Sequence, residues 1–192
     1  MFVSHLHGDH FGGLPFLILD AQFSRRTRPL TVIGPPGIAR RLPELMECMF
    51  PGSTGVAQRF RLDVVELVPD GASAVTAGGV QAVGFAADHP SGPEGPALSL
   101  RLTIAGKVIG YTGDTGWTET LVDVAAGADL LVAEAYYRDK KVPYHLRHAD
   151  LAAHRDRLGC RRMVLTHMSA DMLEHPDQVR FEIASDGLVM RI

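Results

Sequence analysis

An α/β fold is predicted for this chain by three observations. Short β-branched runs alternate with stretches of helical spacing, and Gly- and Pro-rich turns punctuate the alternation. The longest apolar runs, such as Leu14 to Leu19, stop far short of the roughly 20 residues a membrane helix needs. Phe2-Val3-Ser4 reads as a strand leading into a group of histidines. Leu30 to Ile33 is a strand closed by Gly34-Pro35-Pro36-Gly37, where proline presets φ and glycine relieves it. Ile38 to Phe50 carries apolar residues at 38, 42, 45, 46 and 49, a helical spacing that Pro51-Gly52 ends. Leu62 to Leu67 and Val80 to Phe85 read as strands separated by Gly- and Ala-rich turns. Ala97 to Ile104 and Lys107 to Thr112 form a hairpin about Ala105-Gly106. A helix over Gly116 to Val124, a buried strand over Leu130 to Ala135, a helix over His148 to Leu158 and a strand over Arg162 to Thr166 follow. Phe181 to Ile192 is expected to add a last pair of strands about Ser185-Asp186-Gly187. No linker divides residues 1–192, so one domain is expected.

Composition narrows the class of protein. The chain has 192 residues, 46% hydrophobic and 21% charged, which excludes a disordered chain, a collagen and a coiled coil. Its net charge of −3 leaves no strong electrostatic footprint for nucleic acid. Two cysteines, Cys48 and Cys160, make no disulfide framework and suit a reducing cytoplasm. No basic segment followed by an apolar one opens the chain as a secretory leader would. A cytoplasmic protein without a membrane partner is expected.

Nine histidines are present, and three fall in the first ten residues. Residues 4–13 read Ser-His-Leu-His-Gly-Asp-His-Phe-Gly-Gly. His5 and His7, two apart at a strand end, leave the same face. Asp9 and His10 follow immediately, placed by Gly8 in a tight turn. Imidazoles with a carboxylate and no thiolate form the ligand set of zinc, manganese or iron. Such a crowd of polar groups would be costly to bury without a cation.

This strand followed by His-x-His-x-Asp-His resembles the signature of the metallo-β-lactamase superfamily of metal-dependent hydrolases. The resemblance extends along most of the chain. His89 follows the Val80–Phe85 strand, Asp114 stands in Tyr111-Thr112-Gly113-Asp114-Thr115-Gly116, and His167 stands in Leu165-Thr166-His167-Met168-Ser169. It implies an αββα sandwich holding two divalent ions, Zn(2+) foremost, with Mn(2+) or Fe as alternatives. His5, His7 and His89 would hold one ion, Asp9, His10 and His167 the other, and Asp114 would bridge them. Relatives begin with several strands ahead of the first histidine motif, so an N-terminally truncated version of the fold is expected. An uncovered apolar sheet edge would then favour a homodimer or aggregation.

Further segments resemble the RNase Z and phosphodiesterase branch. Val32-Ile33-Gly34-Pro35-Pro36-Gly37 and Ser185-Asp186-Gly187-Leu188-Val189 are similar to its turns. Ala133-Glu134-Ala135 resembles its His-Glu-Ala segment, and His148-Ala149-Asp150 its His-Ser-Thr triplet, retaining only the histidine. In this reading Glu134 pairs with His148 and keeps it protonated as the donor to a leaving oxygen. Asp9 orients a bridging hydroxide. His145, His154 and His175 are read as surface residues. Only 25 residues separate His89 from Asp114, too few for the tRNA-gripping arm of bacterial RNase Z. The function expected is a dinuclear phosphodiesterase acting on a small phosphodiester, with nucleic acid less favoured. Hydrolysis of a carboxylic ester, lactone or thioester, a metal-dependent oxidoreductase and an inactive fragment are the alternatives.

Overall fold

The structure, a computed structural model, describes residues 1–93 and 95–192. Strands β1 (Leu30–Gly34) and β2 (Leu62–Glu66) pair in parallel as a two-stranded sheet. A seven-stranded sheet contains β3 (Asp70–Ala77), β4 (Val80–Ala86), β5 (Leu98–Ile104), β6 (Lys107–Tyr111), β7 (Leu130–Glu134), β8 (Met163–Thr166) and β9 (Glu182–Ile183), in chain order. The N-terminal residues join the sheets. The Val3 amide donates to the Ile33 carbonyl, and the Leu98 amide, at the start of β5, donates to the Ser4 carbonyl.

Side-chain alternation along the strands builds a four-layer sandwich. Val32 turns outward to Phe11, Leu14, Ile18, Ile38, Leu42 and Met46, which α1 (Gly8–Phe11), α2 (Gly13–Phe23) and α3 (Ile38–Met49) supply. Its neighbour Ile33 turns inward, where it packs with Leu67, Ala82, Leu98 and Leu100 between the sheets. On the outer face of the large sheet, Leu131, Ala133, Met163 and Leu165 pack against α4 (Thr120–Ala125), α5 (His148–Ala153), α6 (Arg155–Leu158) and α7 (Ala170–Leu173). Glu66 closes β2 by accepting the Gly37 and Ala39 amides at the start of α3, satisfying donors that the helix cannot. Among the described residues no helix is long and apolar enough to cross a membrane.

Strand direction decides where the site can lie. β4 and β6 are both antiparallel to β5, so they run the same way, and β7 and β8 are parallel to β6. The C-terminal ends of these four strands therefore share one edge, and the loops leaving them carry His89, Asp114, the turn after Glu134, and His167.

Several expected elements differ. Residues 70–77, expected as turns, form the edge strand β3. Its residues are small and mostly exposed, so it shows no clear apolar alternation; a register shift between Asp70 and Ala74 further breaks the pattern. The first strand contracts to a bridge between Phe2 and Ile33. The last pair contracts to the two-residue β9, and α4 starts at Thr120, later than expected. The helix expected over 148–158 breaks at His154, whose backbone (φ −106°, ψ 9°) is not helical.

Leu165 is fully buried in β8 immediately before His167. Leu165→Ala is expected to destabilise the fold by about 2–5 kcal/mol, read as a lowered urea midpoint with an unchanged slope.

Candidate metal centre

Five chain segments bring imidazoles and carboxylates to the shared strand edge. His5 is completely buried; its Nδ1 lies 3.1 Å from the Ser4 hydroxyl, which turns Nε2 into the cluster. His89 donates from Nδ1 to the Tyr144 carbonyl at 3.1 Å, so its Nε2 faces inward and meets His7 Nδ1 at 3.1 Å. The candidate ligand atoms of His5, His7 and His89 all lie within 4.8 Å of one another.

A second group of the same dimension joins Asp9, His10, Asp114 and His167. Asp9 Oδ2 is 3.4 Å from His10 Nε2 and 3.5 Å from His167 Nε2. Asp114 stands between the two groups. Its Oδ1 is 3.3 Å from His10 Nε2, and its Oδ2 is 3.4 Å from His167 Nε2 and 3.9 Å from His5 Nε2. Gly113 makes this approach possible. It adopts φ +58°, and a Cβ there would stand 2.7 Å from the Leu98 carbonyl oxygen and 3.0 Å from Ser4 Cβ. His167 itself holds φ 51°, a left-handed conformation that costs a non-glycine residue energy and marks a functional constraint.

The donor set fits divalent cations. His5 Nε2, His10 Nε2 and Asp114 Oδ1 are buried with no hydrogen-bond partner, although ion-pair distances separate them from neighbours. Leaving several such atoms unsatisfied is expensive, and a cation in each group would satisfy them together. In the ion-free chain the titration behaviour divides the two groups. Burial, helped by the neighbouring His10, pushes His5 down to about 3, and burial also lowers His89. These two imidazoles are held neutral, the form that binds metal. Burial alone would raise the Asp114 carboxyl, but His10 and His167 outweigh it and hold it at about 2. His167 is pushed up to about 9, chiefly by Glu134.

Glu134, the last residue of β7, is 1% exposed. Its Oε1 accepts the Thr115 amide at 2.6 Å and the Leu146 amide at 3.2 Å; its Oε2 lies 3.0 Å from His145 Nδ1 and 3.4 Å from His167 Nδ1. A carboxylate on the far nitrogen of a ligating histidine fixes its ring and tautomer. The expected pairing of Glu134 with His148 is corrected here, because the carboxylate takes His145 and His167. His148 instead accepts the Arg180 amide at Nε2 (3.1 Å) and packs against Phe181, which ties the C-terminal segment to α5. Burial lowers its pKa.

His145, read from the sequence as a surface residue, belongs to the cluster. Its ring lies parallel to His167 at 5.8 Å and stacks on Tyr136 at 4.9 Å, and its hydrogen bond to Glu134 raises its pKa. Nothing in its local pattern announced this. The chain after β7 returns to the sheet through a Tyr137–Arg147 bridge, and that closure delivers His145. His154 stacks on Trp117 and His175 bonds the Asp171 carbonyl, both outside the cluster.

Comparisons with known proteins agree with this geometry. Residues 1–168 match the description "Beta-lactamase superfamily domain". Ribonuclease Z of Bacillus velezensis is 25% identical over 234 residues, covering 95% of this chain and 76% of its own length. Ribonuclease Z of Haloferax volcanii is 28% identical, covering 92% of this chain and 70% of its own. Among solved structures, the short form of human tRNase Z superposes with a TM-score of 0.75 at 24% identity, covering 100% and 78% of the two chains. A diphosphatase of the PhnP family gives 0.71 at 20%, covering 100% and 70%.

In chelator-treated protein, His167 titrates near 9 when folded and near 6.5 when unfolded, so its stabilisation is full below pH 6.5 and lost as pH rises through 9. Stability is expected to fall by about 1–2 kcal/mol between pH 7 and 9.5, and Glu134→Gln to flatten that dependence in urea titrations.

Proposed function

The chain belongs to the β-lactamase superfamily, and from that premise we propose that it is a dinuclear metal-dependent phosphodiesterase. The observation that carries the two-ion reading is Asp114, placed between two separate ligand groups and within 4 Å of imidazoles from both. His5, His7 and His89 would hold one divalent ion, Asp9, His10 and His167 the other, with Asp114 common to both. Zn(2+) suits the imidazole and carboxylate set, with Mn(2+) and Fe as alternatives; a structural neighbour, PqqB from Methylobacterium extorquens, is described as Zn(2+)-bound. Ions bound there supply Lewis acidity towards a phosphoryl group and acidify water towards neutrality.

The phosphodiester class is supported by the relatives, which are named ribonuclease Z. Between His89 and Asp114 the described residues form the β5–β6 hairpin and short connections, which favours a small diester over a tRNA gripped by an arm. Hydrolysis consumes one water, breaks the bond from phosphorus to the leaving oxygen, and requires a proton for the departing alkoxide. His145 is the group suited to give it. Nδ1 is engaged by Glu134, which leaves Nε2 for the substrate, and the buried carboxylate favours the protonated ring. Glu134 is the positioning residue for both His145 and His167. Asp9, with 66% of its side chain exposed, lies on the open side of the cluster, where it can orient the attacking water.

Purified protein is expected to contain two divalent ions per chain by elemental analysis, and chelation or Asp114→Ala to abolish hydrolysis of bis(p-nitrophenyl) phosphate. Lack of turnover there, with turnover of a lactone or thioester, would reject the phosphodiester class. His145→Ala should slow alkyl leaving groups by about 10²–10⁴-fold and p-nitrophenyl leaving groups far less. His148→Ala should show no such split and should lower thermal stability.

A further inference from the structure

A mostly apolar groove of about 730 Å3 opens beside the ligand turn, lined by Gly8, Phe11, Gly13, Phe16, Leu45 and Met49, together with the ion pair of Arg41 and Glu44. It lies between the α1–α2 turn and α3 and begins at Gly8, the residue between His7 and Asp9.

Gly8 and Gly13 are each the first residue of a helix. Neither has a left-handed φ, and a Cβ at either would meet nothing within 4 Å. Backbone conformation and packing therefore do not require glycine at these positions. Gly12 differs, since a Cβ there would stand 2.4 Å from the Gly8 carbonyl oxygen. What the two open glycines do is keep the groove free beside the candidate ions, as glycine does where a ligand approaches backbone closely. Phe16 supports a ligand on this face. It is 56% exposed, and Phe50 holds it edge-on at 5.3 Å, leaving its ring available to the groove.

A second cleft, about 380 Å3, borders His145 and is lined by charged groups that include Asp88 and Lys141. The leaving oxygen must reach His145, so the leaving alcohol belongs at that polar cleft. The groove that begins at Gly8 is the other opening beside the ligand turn, and it is available to the group that remains on phosphorus. We propose that the groove holds the substituent retained on phosphorus, and that this substituent is a bulky, ring-bearing apolar group. This assignment rests on the phosphodiesterase reading for its chemistry, but the groove's selectivity can be measured by binding alone.

The probes are methylphosphonate and 1-naphthylmethylphosphonate, titrated calorimetrically into the protein as purified. The naphthyl compound is expected to bind at least about tenfold more tightly. Gly13→Leu, which fills the groove, and Phe16→Ala, which removes its aromatic side, should each cut that preference to less than about threefold, with methylphosphonate binding unchanged. With p-nitrophenol as the common leaving group, 1-naphthyl p-nitrophenyl phosphate should exceed methyl p-nitrophenyl phosphate in kcat/KM by a similar factor. Equal binding of the two phosphonates, or a preference that survives both variants, overturns the groove assignment. Diester turnover without naphthyl preference does so too, while sparing the phosphodiesterase reading. Selective binding without turnover of any diester rejects that reading and keeps the groove as an aryl phosphonate site.

Discussion

One buried carboxylate organises the strand edge on which the site is built. Glu134 accepts the Thr115 amide, fixing the turn that presents Asp114, and the Leu146 amide, fixing the return of the loop after β7. Through its second oxygen it orients His145 and His167. That same loop places the Tyr144 carbonyl against His89 Nδ1, so the third histidine is aimed indirectly by the same arrangement. A carboxylate with 1% exposure is tolerable only with such a full set of partners.

The polypeptide alone leaves the cluster electrostatically unbalanced. His5 is driven to about 3 and His167 to about 9, although Asp114 lies within 4 Å of both. The difference follows from their surroundings: burial and other imidazoles act on the first, while Glu134, Asp114 and Asp9 act on the second. Cations shared through Asp114 would meet the unsatisfied nitrogens of His5 and His10 and neutralise the carboxylates of the second group. Ions bound there would complete a site that the fold holds together, and metal affinity would then be coupled to fold stability.

The two clefts give this symmetric-looking cluster a direction. In the proposed reading acid chemistry falls to the His145 side, where charged residues line the smaller cavity, and the larger cavity at Gly8 is mostly apolar. A diester bound across the ions would therefore have one preferred orientation. The four-layer packing makes this possible because α2 and α3 lie on the small sheet and form the apolar wall, while loops from the large sheet supply the polar one.

The amino-acid sequence by itself determined the alternation of strands and helices, the N-terminal ligand cluster and the family, because these rest on local spacing. Asp9 and His10 are neighbours in the chain, and His5 and His7 share a face wherever the strand ends. Edge strand β3 escaped this kind of reading, since its residues are small and mostly exposed and only Val75 and Ala77 pack towards the core, too little to impose a period. The partner of Glu134 escaped it for a different reason. His145 and His148 are three residues apart, and either could have met the carboxylate. The Tyr137–Arg147 bridge and the Leu146 amide turned the first towards Glu134, while the start of α5 sent the second to Arg180. Only the closed loop decides that choice, because hydrogen bonds depend on where a ring nitrogen points and not on where its residue falls in the chain.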